Sequence, residues 1–179
     1  RITALKLLEL QRHAQLMYTS CGWFFDDVGG IEARQIIQYA GRALQLSGEL
    51  FGPGLEEPFL ALLEKAKSND PEAGDGRKIY EGSVRPAMVS LERVGAHYGV
   101  SSLFTTYGET ASVHCYGVQR DNHRVLTSGR ARLVLGSARV SSDVTGESEH
   151  VAYGVLHLGA QTTPPATTHG PTISPPASS

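Results

Sequence analysis

The chain has 179 residues with 16 basic and 18 acidic side chains, which give a formal net charge of −2. This balance supplies neither the basic surface that attracts nucleic acid nor a cationic face for a membrane, so neither partner is expected. No apolar run approaches the roughly 18 residues that a membrane-spanning helix needs. A chain of this length can bury the core of one ordinary domain or of two small ones.

The cysteines and the chain ends indicate the compartment and the extent of the protein. Cys21 and Cys115 are the only cysteines and are too few for a disulfide framework, which favours a reducing, cytoplasmic compartment. Helical pattern begins directly after Arg1, without a signal peptide or an initiating methionine, so we expect a piece of a longer protein. Residues 161–179 are rich in Pro, Ser and Thr, which predicts a disordered C-terminal tail.

Apolar residues recur at helical spacing through the first half of the chain. The pattern predicts helices over residues 2–18, 31–46, 58–68 and 75–98. We expect Ser47-Gly48 to end the second helix, and Pro86 to kink or split the fourth after Val84, because proline removes a backbone donor. Asp75 is expected to cap this fourth helix, in preference to a phosphate site at its N-terminus.

The pattern changes from helix to strand after Gly99. "SVHCYGVQ" is strand-like, and "RARLVLGSARVSS" and "EHVAYGVLHLG" are two further strand-like runs joined by a turn at Gly146, which predicts a hairpin. Helices followed by strands indicate an α+β fold. We therefore expect a helical bundle over residues 1–99 and an incomplete antiparallel β-sheet, part of a β-sandwich, over residues 100–160.

Histidine is the commonest general acid or base, and the chain has seven. Their spacing matches no metal-binding motif and no cysteine pair could hold zinc, so no metal and no cofactor is expected. His114 and Cys115 are adjacent, and His150 and His157 are seven residues apart, so each pair should point to opposite faces of a strand. We predict no catalytic residue among them.

"CGWFFDDVGG" places three aromatic residues and two acids in a loop, among them the only tryptophan of the chain. An aromatic ring beside an acid is typical of a carbohydrate subsite, and a loop tryptophan needs a packing or binding partner. A hydrophobic plug between two helices, with Asp26 or Asp27 as a cap, is an equal alternative. Trp23 and Asp26 have the character of site residues, because an indole N–H needs a polar partner. Phe24 and Phe25 have the character of a plug.

Three stretches of the chain resemble one known family. "YTSCGWFFDD", "NDPEAGDGRKIYEGSVRPAMVSLERVGAHYGVSSLF" and "RARLVLGSARVSSDVTGESEHVAYGVLHLG" are similar to an uncharacterised C-terminal domain of bacterial proteins related to glycoside hydrolase family 57. The resemblance covers residues 4–159. It implies an upstream (β/α)7 barrel and helices that close over an α-glucan cleft, with Trp23, Asp26 and Asp27 contacting the substrate.

The same resemblance implies that the catalytic pair, a glutamate nucleophile and an aspartate acid/base, lies on the barrel strands. Retaining chemistry needs two carboxyl groups about 5 Å apart, and this sequence contains no barrel strand. The expected function is therefore an accessory module of a glycoside hydrolase or glucanotransferase, inactive alone. A non-enzymatic scaffold, or a carbohydrate-binding or interaction domain, is the alternative.

Overall fold

A computed structural model describes residues 1–159, in which helices precede strands. The helices are α1 (Ile2–Leu16), α2 (Ile31–Phe51), α3 (Glu56–Leu63), α4 (Gly76–Ile79) and α5 (Leu91–Ser101). The strands are β1 (Thr110–Val113), β2 (Tyr116–Ser128), β3 (Ala131–Ser142) and β4 (Ser148–His157). The predicted α+β fold is confirmed for this part of the chain, and the predicted tail over residues 161–179 lies outside it. None of the helices described is both long and apolar enough to cross a membrane.

The first two helices begin where the periodicity predicts. α2, however, runs past Ser47-Gly48, its predicted end, to Phe51. Ser47 is buried, so tertiary packing holds this turn in the helix despite the weak helix propensity of the Ser-Gly pair. The helix ends instead at Gly52, whose φ of 90° is one that glycine adopts readily.

Pro86 divides the predicted fourth helix, as expected. After α4 the chain passes through a wide π-type turn (Tyr80–Val84) and a 3-10 turn (Arg85–Ala87) before α5 begins. The side chain of Asp75 caps α4 by accepting a hydrogen bond from a backbone N–H of its first turn at 3.0 Å, which confirms the predicted cap. Ser90 caps α5 in the same way at 3.3 Å.

The sheet has the order β1-β2-β3-β4, and every neighbouring pair is antiparallel. The predicted β3–β4 hairpin is confirmed, with Gly146 at a φ of 71° in its turn. The strand-like character of residues 112–119 is confirmed, but a turn divides the stretch between β1 and β2. The chain turns at His114, whose φ is 54°, so that Val113 and Tyr116 pair across β1 and β2. β2 then extends well beyond the predicted residues, through a polar stretch without a clear alternation.

This turn also changes the position of the adjacent residues His114 and Cys115. His114 and Cys115 lie between β1 and β2, so they do not occupy opposite faces of a strand as predicted. His150 and His157 both belong to β4 and lie on opposite faces. His150 is exposed, whereas His157 is six residues after the buried Val151 and therefore lies on the same face as Val151. Neither pair forms a local nucleophile and base.

Two hydrophobic cores stabilise the fold. One lies among the helices and contains Ile37, Leu60, Ile79, Tyr80 and Val84. The other joins α5 to the sheet and contains Leu91, Val94, Tyr98, Leu103, Val118, Val134, Ala138, Val140, Val151 and Tyr153. α5 approaches β4 so closely that a Cβ at Gly95 would clash with Val151. α5 therefore covers one face of the sheet, and Leu135 and Leu156 stay exposed on the other.

Candidate functional site

The loop between α1 and α2, residues 17–30, carries the aromatic and acidic cluster and is called the aromatic loop below. It packs against its surroundings through two glycines. A Cβ at Gly22 would lie 3.3 Å from Ile36 Cγ1 of α2, and a Cβ at Gly29 would lie 2.8 Å from Ser68 Oγ. Neither glycine has a positive φ. They therefore permit close packing of the loop and are not needed for sharp turns.

The aromatic side chains of the loop are exposed. Trp23 is 72% exposed, Phe24 71% and Phe25 48%. Phe24 and Phe25 pack edge to face on each other, with ring centroids 5.3 Å apart. The prediction that these two phenylalanines plug the space between helices is therefore wrong. The helical core closes without them, because α2 buries Ile37 and Ala40 on its inner face.

Two further exposed apolar residues lie at the two ends of the loop. Tyr18, which follows α1, is 84% exposed, and Ile31, the first residue of α2, is 79% exposed. Sequence reasoning missed both. Each stands at a helix end, where helical periodicity does not assign a residue to the inner or the outer face. The loop and the helix ends beside it therefore expose more apolar side chains than the sequence predicts.

Asp27 fastens the loop to a segment distant in sequence. Its Oδ1 accepts hydrogen bonds from the backbone N–H of Gly29 at 2.9 Å and from the Ser68 hydroxyl at 2.8 Å, and the N–H of Asn69 approaches to 3.4 Å. The Gly29 bond, followed by the Ser68 bond, holds the pKa of Asp27 below its usual value, because both favour the charged carboxylate. Asp27 therefore orders the loop.

Replacing Asp27 with alanine is expected to lower the melting temperature at pH 7 by several degrees, because its donors lose their acceptor. A carboxyl group with a depressed pKa stabilises the fold above its unfolded pKa of about 3.9, and this contribution disappears as the pH falls through the folded pKa. The difference between the two proteins should therefore shrink in acid. Thermal unfolding at pH 7 and below about pH 3 measures it.

Asp26→Ala is the matched control for this substitution. Asp26 is exposed and forms no hydrogen bond or ion pair with the side chains and backbone of residues 1–159. Its replacement should leave the melting temperature unchanged at both pH values. Equal losses in the two variants would contradict the separate roles of the adjacent acids.

The structure thus separates the three predicted contact residues. Trp23 and Asp26 are exposed, whereas Asp27 is partly buried and engaged by Ser68. The sequence could not distinguish the two acids, because the partner that occupies Asp27 comes from a loop after α3. Of the three predicted contact residues, Trp23 and Asp26 are therefore the two that no neighbouring segment engages.

Within residues 1–159, no three His, Cys, Asp or Glu side chains lie close enough together to hold a metal ion. Four of the histidines in residues 1–159 contact neighbouring side chains, among them His13, which lies beside Glu9, and His157, which packs on Phe104. His123 Nδ1 lies 3.2 Å from the Tyr153 hydroxyl, and His150 Nδ1 lies 3.4 Å from Asp121 Oδ2. Both cysteines are free thiols. Local contacts therefore account for these histidines.

Fold and loop together define an α+β module that presents an exposed aromatic surface between its first two helices. The chain belongs to the family described as "Domain of unknown function (DUF3536)", which matches residues 1–168. No curated protein and no solved structure matches the chain. The expectation of an uncharacterised domain is thereby confirmed, whereas the relation to glycoside hydrolase family 57 stays a prediction.

Proposed function

We propose that the aromatic loop contributes substrate contacts in a larger protein that is related to glycoside hydrolase family 57 and acts on α-glucans. The observation that carries this proposal is the 72% exposure of Trp23 near Asp26, an exposed acid that no residue of 1–159 engages. An exposed indole is unfavourable in water and stacks well on the apolar face of a sugar ring. A carboxylate accepts hydrogen bonds from the hydroxyl groups of the same sugar.

The order of the loop supports recognition of a ligand. Asp27 holds it to Ser68, and Arg34 Nε donates a hydrogen bond to the backbone oxygen of Gly29 at 2.9 Å. A platform that is formed in advance loses less conformational entropy when a ligand binds. The loop around Trp23 therefore does not have to become ordered when Trp23 stacks on a sugar ring.

The expected partner is the upstream barrel of the same parent protein, which would supply the catalytic carboxylates and the opposite wall of the cleft. α1 favours such a neighbour, because its side chains Ile2, Leu7 and Leu8 are exposed. An apolar helix surface that the rest of residues 1–159 leaves uncovered is suited to packing against another domain. The module alone is then expected to bind glucan weakly and to hydrolyse none.

An interaction domain without an enzymatic role is the second candidate. Tyr18, Phe24 and Ile31 are 84%, 71% and 79% exposed, and they add more apolar surface than one sugar ring covers. Exposed aromatic clusters of this kind are typical of protein–protein interfaces. On this alternative the loop binds a protein surface and does not respond to glucan.

Intrinsic fluorescence distinguishes the two candidates, because Trp23 is the only tryptophan. Titration of the chain with maltoheptaose is expected to change the emission saturably, whereas the β-linked cellohexaose should not. Asp26→Asn should weaken the apparent affinity about tenfold, equivalent to the loss of a charge-assisted hydrogen bond.

Asp143→Asn is the control, since Asp143 is an exposed acid in the turn between β3 and β4. It should bind maltoheptaose like the unmodified chain. A fluorescence change that Asp26→Asn leaves intact would remove Asp26 from the site. The absence of any response to maltoheptaose would contradict the sugar site and favour the interaction domain.

A further inference from the structure

A cleft lies where the helical part meets the sheet, lined by different residues from the aromatic loop. It has a volume of about 330 Å³. Its apolar lining comes from the segment before α5, and its polar side chains come from α1, α2 and the start of β2. Its lining includes His13, Gln38, Arg42, Met88 and Tyr116.

Arg42 is a half-buried cation that no carboxylate of residues 1–159 pairs with. Its Nη1 donates one hydrogen bond, to Gln45 Oε1 at 2.9 Å. Three acids line the adjoining pocket: Glu49 and Glu147 are both engaged by Lys6, and the exposed Glu149 pairs with no cation of residues 1–159, Arg42 included. A guanidinium carries five N–H donors, so Arg42 keeps donors and a full charge for a ligand.

Other polar groups of the cleft also have unused hydrogen-bonding capacity. Among the described residues, Gln38 makes no side-chain hydrogen bond, and the buried Nδ1 of His13 has no partner. His13 Nε2 lies 3.0 Å from Glu9 Oε1 and 3.1 Å from Arg12 Nη2, so Nδ1 is the ring nitrogen that no neighbouring group engages. Buried polar atoms without a partner are rare, and this one belongs to the wall of a cleft that also holds an unpaired cation.

We propose that this cleft binds a small hydroxylated organic anion, either a sugar acid or a sugar phosphate. The anionic group pairs with the guanidinium of Arg42, whose planar fork suits a carboxylate and a phosphate alike. Gln38 and the phenol of Tyr116 bind hydroxyl groups, and the carbon skeleton lies on Met88. The volume agrees with this class of ligand, since pockets for small molecules begin at roughly 300 Å³.

Calorimetric titration of the chain at low ionic strength tests the proposal. Gluconate supplies the carboxylate and glucose 6-phosphate supplies the phosphate, so the two probes distinguish the two sources of the anion. Acetate, inorganic phosphate and glucose are the partial ligands, each with only the anionic or only the hydroxyl component. We expect at least one of the two probes to bind about tenfold or more tightly than every partial ligand.

Arg42→Gln should weaken binding of that probe by about tenfold or more, because the ion pair is lost. Arg124→Gln is the matched control: Arg124 is an exposed arginine of β2 outside the cleft, and its replacement should not change the affinity. Gln38→Ala, at an exposed position, provides a second variant should Arg42→Gln fail to fold, and it too should bind more weakly. Equal affinity in these variants and the control, or no saturable binding of either probe, would overturn the proposal.

Discussion

Replacing Tyr98 with alanine is expected to lower the free energy of unfolding by about 3–5 kcal/mol, the usual cost of truncating a buried aromatic side chain. Tyr98 is 1% exposed on the inner face of α5. Its ring centroid lies 4.9 Å from that of Tyr107 and 5.7 Å from that of Tyr153. These contacts join α5 to the sheet, so the substitution leaves a cavity at the centre of that core.

Two controls separate packing from other effects. Tyr98→Phe keeps the ring and should cost about 0.5–1.5 kcal/mol, because it removes only the hydroxyl. Val100→Ala changes the same helix at a position that is 50% exposed and should cost clearly less than Tyr98→Ala. Urea unfolding followed by circular dichroism gives the three values. If Tyr98→Ala costs no more than Val100→Ala, then the core between α5 and the sheet does not stabilise the protein.

Periodicity predicted the elements that bury one continuous face. α2 and the β3–β4 hairpin are of this kind, and their residues alternate between inside and outside with the period of their structure. The predictions failed where local signals compete with packing. Ser47-Gly48 is a stop signal that the surrounding core overrides. The turn at His114 could not be predicted, since a positive φ is uncommon for histidine.

The composition of the aromatic loop was readable from the sequence, but the roles of its members were not. Adjacent residues such as Asp26 and Asp27 have identical chemistry, and only the position of Ser68 shows which of them is engaged. The exposure of Phe24 depends equally on what α2 buries. Such assignments require contacts between segments far apart in sequence, which composition and spacing do not contain.

The cleft at Arg42 carried no sequence signal at all. Its polar residues come from α1, α2 and β2, and no two of them form a motif. Arg42 stands in a helix with ordinary periodicity, where a charged residue predicts a solvent-facing position. Its lack of an acidic partner becomes visible only when the sheet is placed beside the helices.

Trp23 and Phe25, two residues apart in the aromatic loop, have different expected roles. Trp23→Ala should weaken maltoheptaose binding by about 1–3 kcal/mol, the scale of removing a large apolar side chain from a contact. It should leave the melting temperature nearly unchanged, because Trp23 is 72% exposed. Phe25→Ala, at 48% exposure, should cost no more than about 1 kcal/mol of stability, far below the 3–5 kcal/mol typical of a core aromatic residue.

Calorimetric affinity and thermal unfolding of each variant give the four values that the comparison needs. Phe51→Ala is the control for non-specific loss of exposed aromatic surface, since Phe51 is 71% exposed at the end of α2, outside the aromatic loop. It should alter neither glucan affinity nor the melting temperature beyond a small effect. Were Trp23→Ala to unfold the protein while the affinity of the remaining folded fraction stayed the same, Trp23 would be a packing residue. The sugar site would then have to be abandoned, because Asp26 alone offers no stacking surface for a glucosyl ring.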